Sequence, residues 1–208
     1  MNIAFIGIGN VGYAIADNLQ KKGHRIIIGN DNADSGSVKK AVERNPSFIA
    51  RSVQDAVDEA EVIFLATPFQ SVESAISGIR FSGKPLVDCT NPVGPGITHG
   101  LKSDHSGAEE VQKFTPDAKV VKAFTIYGFE NFADSLFPKY DVKPVMLIAG
   151  DDKTAKDRVS LLIGELGFFA KDTGPLSQSL HLEHMTLLWV KMVRMGGNPN
   201  FVWAYLER

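Results

Sequence analysis

Six residues, Gly7-Ile8-Gly9-Asn10-Val11-Gly12, stand between an apolar run too short for a helix and a run with helical spacing. Residues 2–6, Asn-Ile-Ala-Phe-Ile, read as a buried strand. From Val11, the apolar positions Val11, Ala14, Ile15 and Leu19 recur at the spacing of one helix face, and Lys21-Lys22-Gly23 supplies cations and a glycine at its end. A second strand, Ile26-Ile27-Ile28, follows at once. Strand, glycine turn, helix, strand is the unit that cradles a dinucleotide. Gly7 allows the tight turn, Gly9 lets backbone approach a pyrophosphate, and Gly12 lets the helix lie close on the strand. The uncapped N–H groups and positive dipole end of the helix then face the phosphates.

Short apolar strands and helices continue to alternate. Strands are expected at 48–50, 62–66, 85–88, 119–124, 145–149 and 168–170. Helices are expected at 37–44, 52–58, 71–79, 107–114 and 153–166. The fully apolar Val62-Ile63-Phe64-Leu65-Ala66 suits a strand covered on both faces. The pattern predicts an α/β fold of the NAD(P)-binding Rossmann type, a parallel sheet with helices on both faces plus a small C-terminal helical part. The expected division is a dinucleotide-binding domain over 1–140 and a smaller domain over 141–208 packed against it. Residues 93–105, rich in glycine and proline, read as a loop, and 129–142 as a short helix and a loop over the cleft. In the long C-terminal helix, Leu180, His184, Leu187, Leu188, Lys191 and Met192 fall near one face, and 201–206 reads as an apolar tail helix.

Ligands of such sheets sit outside the carboxyl ends of the strands, where the turns at Gly7, Asn30, Thr67 and Thr90 all fall. Asp31 lies nineteen residues after Gly12, the place of an acid that accepts from a free ribose 2′-hydroxyl. A 2′-phosphate calls instead for an arginine, and the first one after the turn is Arg44. This turn therefore favours NAD over NADP, against an equally ordinary reading in which Asp31 is a solvated turn residue and Asp34 a helix cap.

A net charge of −2 with 22% charged residues offers no basic patch for nucleic acid or an anionic membrane. No apolar run reaches the ~18 residues of a bilayer span, and no basic leader precedes the first strand. Cys89, the single cysteine, cannot form an internal disulfide and fits a reducing cytoplasm. The expectation is a soluble cytoplasmic protein. Asp151-Asp152 and the pair His181 and His184 fit helix capping and packing better than a metal site, and none is assigned. Cys89 reads as a small buried residue, and Trp189 and Trp203 as packing groups.

Six motifs together resemble the family of NADP oxidoreductases that depend on the 8-hydroxy-5-deazaflavin coenzyme F-420. They are the glycine turn, Ala66-Thr67-Pro68, Asp88-Cys89-Thr90-Asn91-Pro92, Val121-Lys122-Ala123-Phe124, Ala149-Gly150-Asp151-Asp152 and Asp172-Thr173-Gly174-Pro175-Leu176-Ser177. The same fold type forms the cytoplasmic reductase domain of metazoan transmembrane ferric reductases. The resemblance implies NADP as cofactor, a deazaflavin or flavin as hydride acceptor, and a homodimer. It also implies cofactor contacts from Gly7, Ile8, Gly9, Asn10, Val11, Gly12, Asn30, Asp31, Thr67, Pro68 and Asn91. Thr67, Pro68, Asn91 and Pro92 would shape the nicotinamide pocket, with Thr125, Gly174, Pro175 and Leu176 closing its other side. The chain departs from the family where a serine and an arginine usually hold the 2′-phosphate, having Asn30 and Asp31, and at Thr125, often asparagine or histidine in relatives.

Hydride transfer between two stacked rings needs orientation and exclusion of water rather than a protein acid, base or metal. Two other functions stay open. One is reduction of a small imine or carbonyl, which needs a proton donor such as Tyr127, Lys122 or His184. The other is a non-catalytic dinucleotide sensor whose aromatic tail meets a protein partner.

Overall fold

The computed structural model describes residues 1–208 except Ala33, which lies inside the expected polar turn and outside the described residues. Five strands come first: β1 (Asn2–Ile6), β2 (Arg25–Gly29), β3 (Ile49–Arg51), β4 (Val62–Leu65) and β5 (Pro85–Asp88). Then follow β6 (Val93–Gly94), β7 (Thr98–His99), β8 (Lys119–Lys122), β9 (Val145–Gly150) and β10 (Phe169–Asp172). The helices are α1 (Asn10–Lys21), α2 (Gly36–Arg44), α3 (Val53–Glu59), α4 (Val72–Ile76), α5 (Gly107–Phe114), α6 (Phe129–Ala133), α7 (Lys153–Glu165) and α8 (Ser179–Gly196).

Eight strands form one sheet in the order β10-β9-β8-β5-β4-β1-β2-β3. The chain order reverses between β1 and β4, as in a Rossmann-type nucleotide-binding fold. Alternation along the strands sorts two cores. Ile3, Phe5, Ile26, Ile28, Val62 and Phe64 face one layer, filled from α1 by Ile15 and Leu19 and from α7 by Val159 and Leu162. Ala4, Ile6, Ile27, Ile63 and Leu65 face the other, filled by Ala56 of α3, Ile76 of α4 and Val111 of α5. Helices thus cover both faces, because each strand is apolar at even and odd positions alike.

Several local expectations need correction. β9 runs antiparallel to β8, pairing Val121 with Gly150 and Lys122 with Ala149, so the sheet is mostly rather than wholly parallel. β10 pairs parallel with β9, so the sheet runs on past residue 140. The expected helix 71–79 is a 3-10 turn at Phe69–Ser71 followed by the single turn and a half of α4. The expected loop 93–105 holds the small β6–β7 hairpin. Residues 201–206 are not helical: the Trp203 carbonyl accepts from Val145 N at 2.9 Å and its N–H donates to the Tyr127 hydroxyl at 3.1 Å. Those two tertiary bonds hold the tail extended against the sheet, where no helical pattern of its own hydrogen bonds forms. Among the described residues, no helix is long and apolar enough to cross a membrane.

Candidate functional site

At the carboxyl ends of β1, β2 and β4 the structure opens a cleft of about 500 Å³. Its floor is the glycine turn. Gly7 has φ of +95°, and a Cβ there would stand 2.6 Å from the Ala66 carbonyl carbon. A Cβ on Gly12 would stand 2.4 Å from the Gly7 oxygen, so α1 can lie on β1 only if residue 12 has no side chain. Around Gly9 the situation is opposite: a Cβ would meet nothing within 4 Å. Gly9 is the exposed N-cap of α1, offers no side-chain cap, and no acid occupies the first turn. The N–H groups of that turn are left for a ligand, and an anion is what satisfies them.

Asn30, Asp31, Thr67 and Pro68 line the same cleft, together with Ile8, Asn32, Ser37, Ser71 and Ser74. Asp31 is exposed, and its Oδ1 accepts from Val53 N at 2.9 Å, which fixes the carboxylate at the end of β2. The Asn30 side chain accepts from Asn32 N at 2.8 Å, closing a local turn. Asn10, Val11 and Gly12 enter α1 behind the turn and contribute backbone rather than cleft wall.

Beside this cleft, one side chain of α8 ties two of the expected pocket residues together. The Thr186 hydroxyl lies 2.8 Å from the Thr125 carbonyl oxygen and 3.0 Å from the Asn91 carboxamide oxygen. Thr125 is 1% exposed, and its own Oγ1 has no hydrogen-bond partner among the described residues. It follows Phe124, a bulky residue held in left-handed backbone at φ of +56° between the rings of Phe64 and Phe132. Such strain costs of order 1–3 kcal/mol and persists only where packing over-determines it.

Three of the expected residues do not close this pocket. Leu176 is buried in the core that includes Ala108, Val111 and Val120. Gly174 accepts from Gly150 N at 3.1 Å, and Gly150 pairs with Val121, below the carboxyl end of β8. Gly174, Pro175 and Leu176 therefore anchor the turn into α8 on the far side of β8, because β9 runs antiparallel and carries its following turns away from the cleft. Pro92 is buried as well, with its carbonyl accepting from Gly100 N.

Under the Asn91 loop sits a buried charge cluster that sequence periodicity does not reveal. Lys122 Nζ lies 2.9 Å from Asp88 Oδ2, 2.8 Å from Glu183 Oε1 and 2.6 Å from the Thr90 carbonyl oxygen. Asp88 Oδ1 accepts from Thr90 N and from the Thr90 hydroxyl. Glu183 Oε2 accepts from Gly107 N at 3.0 Å and meets His99 Nε2 at 2.8 Å. His99 Nδ1 accepts from Leu101 N and Ser103 N, so hydrogen bonding assigns the imidazole proton to Nε2, where it is donated to Glu183. Burial opposes the Lys122 charge, yet the two carboxylates outweigh it and hold the ammonium above its ordinary value. Burial likewise opposes ionisation of Glu183, but Lys122 keeps its carboxyl below the usual range.

The candidate proton donors stand elsewhere. The Tyr127 hydroxyl is buried, donates to the Val145 carbonyl at 2.6 Å, and burial pushes its ionisation upward. Lys122 is sealed in its cluster, and His184 Nε2 lies 2.9 Å from the Ser103 hydroxyl, outside the glycine cleft. Cys89 is buried, and burial with the Asp88 charge raises its thiol well above the ordinary value. Trp189 stacks on Phe201 rather than lining the cleft. Among the described residues, no three His, Cys, Asp or Glu side chains converge as a metal site.

Comparison with known proteins meets this geometry at the glycine turn. Residues 2–92 match the family described as NADP oxidoreductase, coenzyme F420-dependent. They hold the glycine turn, Asp31, Thr67-Pro68 and Asn91-Pro92, and end before β6. A curated relative, the metalloreductase STEAP3 of Rattus norvegicus, is 29% identical over 188 residues, 89% of this chain. The chain spans 36% of that relative's length. A solved structure described as a putative F420-dependent NADP-reductase from Arthrobacter sp. FB24 superimposes with a TM-score of 0.83 at 24% identity, over 100% of both chains. A hypothetical protein from Sinorhizobium meliloti gives 0.78 at 25% identity, over 100% of this chain and 96% of its own. The fold is thus the one these two structures share, at all but full length.

Proposed function

We propose that this chain is an NAD(P)-dependent oxidoreductase that moves a hydride between a nicotinamide cofactor and a deazaflavin or flavin-type acceptor. The observation that carries the reading is the cleft itself: an open Gly9 at an uncapped helix start, with Thr67 and Pro68 lining the same cleft. A dinucleotide fits the chemistry of that set, since backbone N–H groups suit the pyrophosphate and Thr67-Pro68 a planar ring beyond it. The family match over 2–92 and the metalloreductase relative support a reductase.

The bound nicotinamide supplies two electrons and a proton as hydride, and solvent returns the second proton that the acceptor ring takes up. The chain's part is orientation. The glycine turn fixes the phosphates, Pro68 and Thr67 set the depth of the ring, and Thr186 holds the Asn91 and Thr125 loops at one spacing. Asp31 is the one ionisable side chain among the described residues lining the cleft, and it lies at the adenosine end. Hydride transfer by orientation accommodates that arrangement, whereas imine or carbonyl reduction needs a donor, and Tyr127 and Lys122 are committed to buried partners.

Loss of the ~340 nm absorbance of reduced nicotinamide tests the reading, with a deazaflavin, FMN, FAD and a no-acceptor blank. Turnover with a ring acceptor is the expected result. Tight nucleotide binding with silence toward every acceptor would sink it and favour the sensor. A homodimer belongs to the same proposal. The exposed Leu188, Met192 and Met195 on α8 support it, and light scattering checks it.

A further inference from the structure

The glycine turn would serve any dinucleotide, but the end of β2 discriminates between the two that cells use. A 2′-phosphate needs cations with fork or point charge aimed at it. Among the described residues lining the cleft there is no lysine or arginine, and the one charged group is Asp31. Of the cations nearest in the chain, Lys40 on α2 is exposed to solvent and does not line the cleft, and the others are engaged elsewhere. Arg51 reaches Glu59 at 3.3 Å, and Arg25, at the amino end of β2, meets the same carboxylate at 2.9 Å, so Arg51 is drawn to the edge opposite the cleft. Arg44 lies 3.7 Å from the centre of the Tyr13 ring. Lys39 is paired at 2.8 Å with Asp34, a second acid in the same turn. Asp31 and Asp34 balance Lys39 and Lys40, so residues 30–40 carry no net positive charge.

Asp31 is also held in place rather than free to swing aside. The Val53 N–H fixes its Oδ1 at 2.9 Å, and Oδ2 has no hydrogen-bond partner among the described residues. A carboxylate so placed accepts from a ribose 2′-hydroxyl and repels a 2′-phosphate. We propose that this chain selects NAD(H) over NADP(H), with Asp31 as the residue that sets the choice. The inference rests on the dinucleotide reading of the cleft and departs from the NADP in the description of the matched family.

The test is equilibrium binding of NADH and of NADPH to the full chain, followed by nicotinamide fluorescence and confirmed by calorimetry, which needs no acceptor. NADH is expected to bind about tenfold or more tightly than NADPH. Asp31→Asn keeps an oxygen for the Val53 N–H while removing the charge. It should narrow the ratio several-fold, mainly by tightening NADPH, with an unchanged melting temperature. Asp31→Ser with Asn32→Arg should reverse the preference. Wild-type protein that binds NADPH as tightly as NADH overturns the inference and leaves the dinucleotide reading intact. Binding of neither nucleotide overturns both.

Discussion

Lys122 and Glu183 meet in the interior with their charged atoms 2.8 Å apart, joining β8 to the C-terminal helix α8. Both side chains are 0–1% exposed, and Asp88 completes the pairing from the neighbouring strand. Lys122→Met would leave two carboxylates buried without their cation. Breaking one partner of such a set costs about 3–5 kcal/mol. Urea titration should therefore show a large fall in midpoint, and the double change Lys122→Met with Glu183→Gln should recover part of it by removing one stranded charge.

The same pair sets a pH dependence of stability. Glu183 is held below the ordinary carboxyl value, so its contribution is complete above about pH 4.3 and is lost as pH falls through the lowered folded value. Lys122 is held above the ordinary lysine value, so its contribution is complete below about pH 10.4 and is lost as pH rises through the raised one. A stability plateau between these limits is the expected profile. Glu183→Gln should flatten the acid limb, and an acid limb unchanged in that variant would place the titration in other carboxylates.

The legible parts of the chain are those whose reasons are local. The glycine turn and β1 can be read because strand, turn and helix are contiguous and Gly12 answers the Gly7 carbonyl five residues away, whereas Gly7 is pressed by the distant Ala66 and Thr67 and Gly9 by no protein atom. The charge cluster is hidden because its directly paired side chains are 34 to 84 residues apart, and each is an ordinary surface type until the fold assembles them. On α8 the buried side is Leu182, Glu183, Thr186 and Trp189, while Leu188 and Met192 are exposed, so hydrophobicity points to the wrong face. Gly174-Pro175-Leu176 illustrates another limit: a motif gives a sequence position, but the direction of β9 decides which edge it reaches.

Tyr127 separates the hydride-transfer reading from one that needs a proton donor. Its hydroxyl bridges the Val145 carbonyl at 2.6 Å and the Trp203 N–H at 3.1 Å, so it holds the extended tail on β9. Tyr127→Phe should cost about 1–2 kcal/mol in stability, the loss of a buried hydrogen bond with one partner left unsatisfied. Turnover per folded molecule should be unchanged. A fall of a hundredfold or so in kcat with normal nucleotide binding would instead make Tyr127 the acid of an imine or carbonyl reductase.

Alkylation of Cys89 offers a check on the packing beneath the Asn91 loop. The thiol is buried, and burial with the Asp88 charge keeps it protonated at neutral pH. Iodoacetamide should leave the native protein unmodified and label it once unfolded in urea. Ready labelling of the native protein would mean that the strand end opens.

Gly9 and Gly12 make opposite demands, and the contrast tests whether the cleft is a binding site or only a turn. A methyl group on Gly12 would stand 2.4 Å from the Gly7 oxygen, a backbone atom that cannot swing aside. Gly12→Ala must push α1 off β1 and should cost several kcal/mol, on the order of overpacking in a tight core. A methyl group on Gly9 meets no protein atom within 4 Å, and its φ of −70° is comfortable for alanine. Gly9→Ala should therefore melt within a degree or two of the parent. Its methyl would nonetheless occupy the space through which a pyrophosphate approaches the first-turn N–H groups. Nucleotide affinity should fall about tenfold or more, with both NADH and NADPH affected alike. A Gly9→Ala protein that binds nucleotide normally would place the phosphates elsewhere and reduce the glycines to a structural turn.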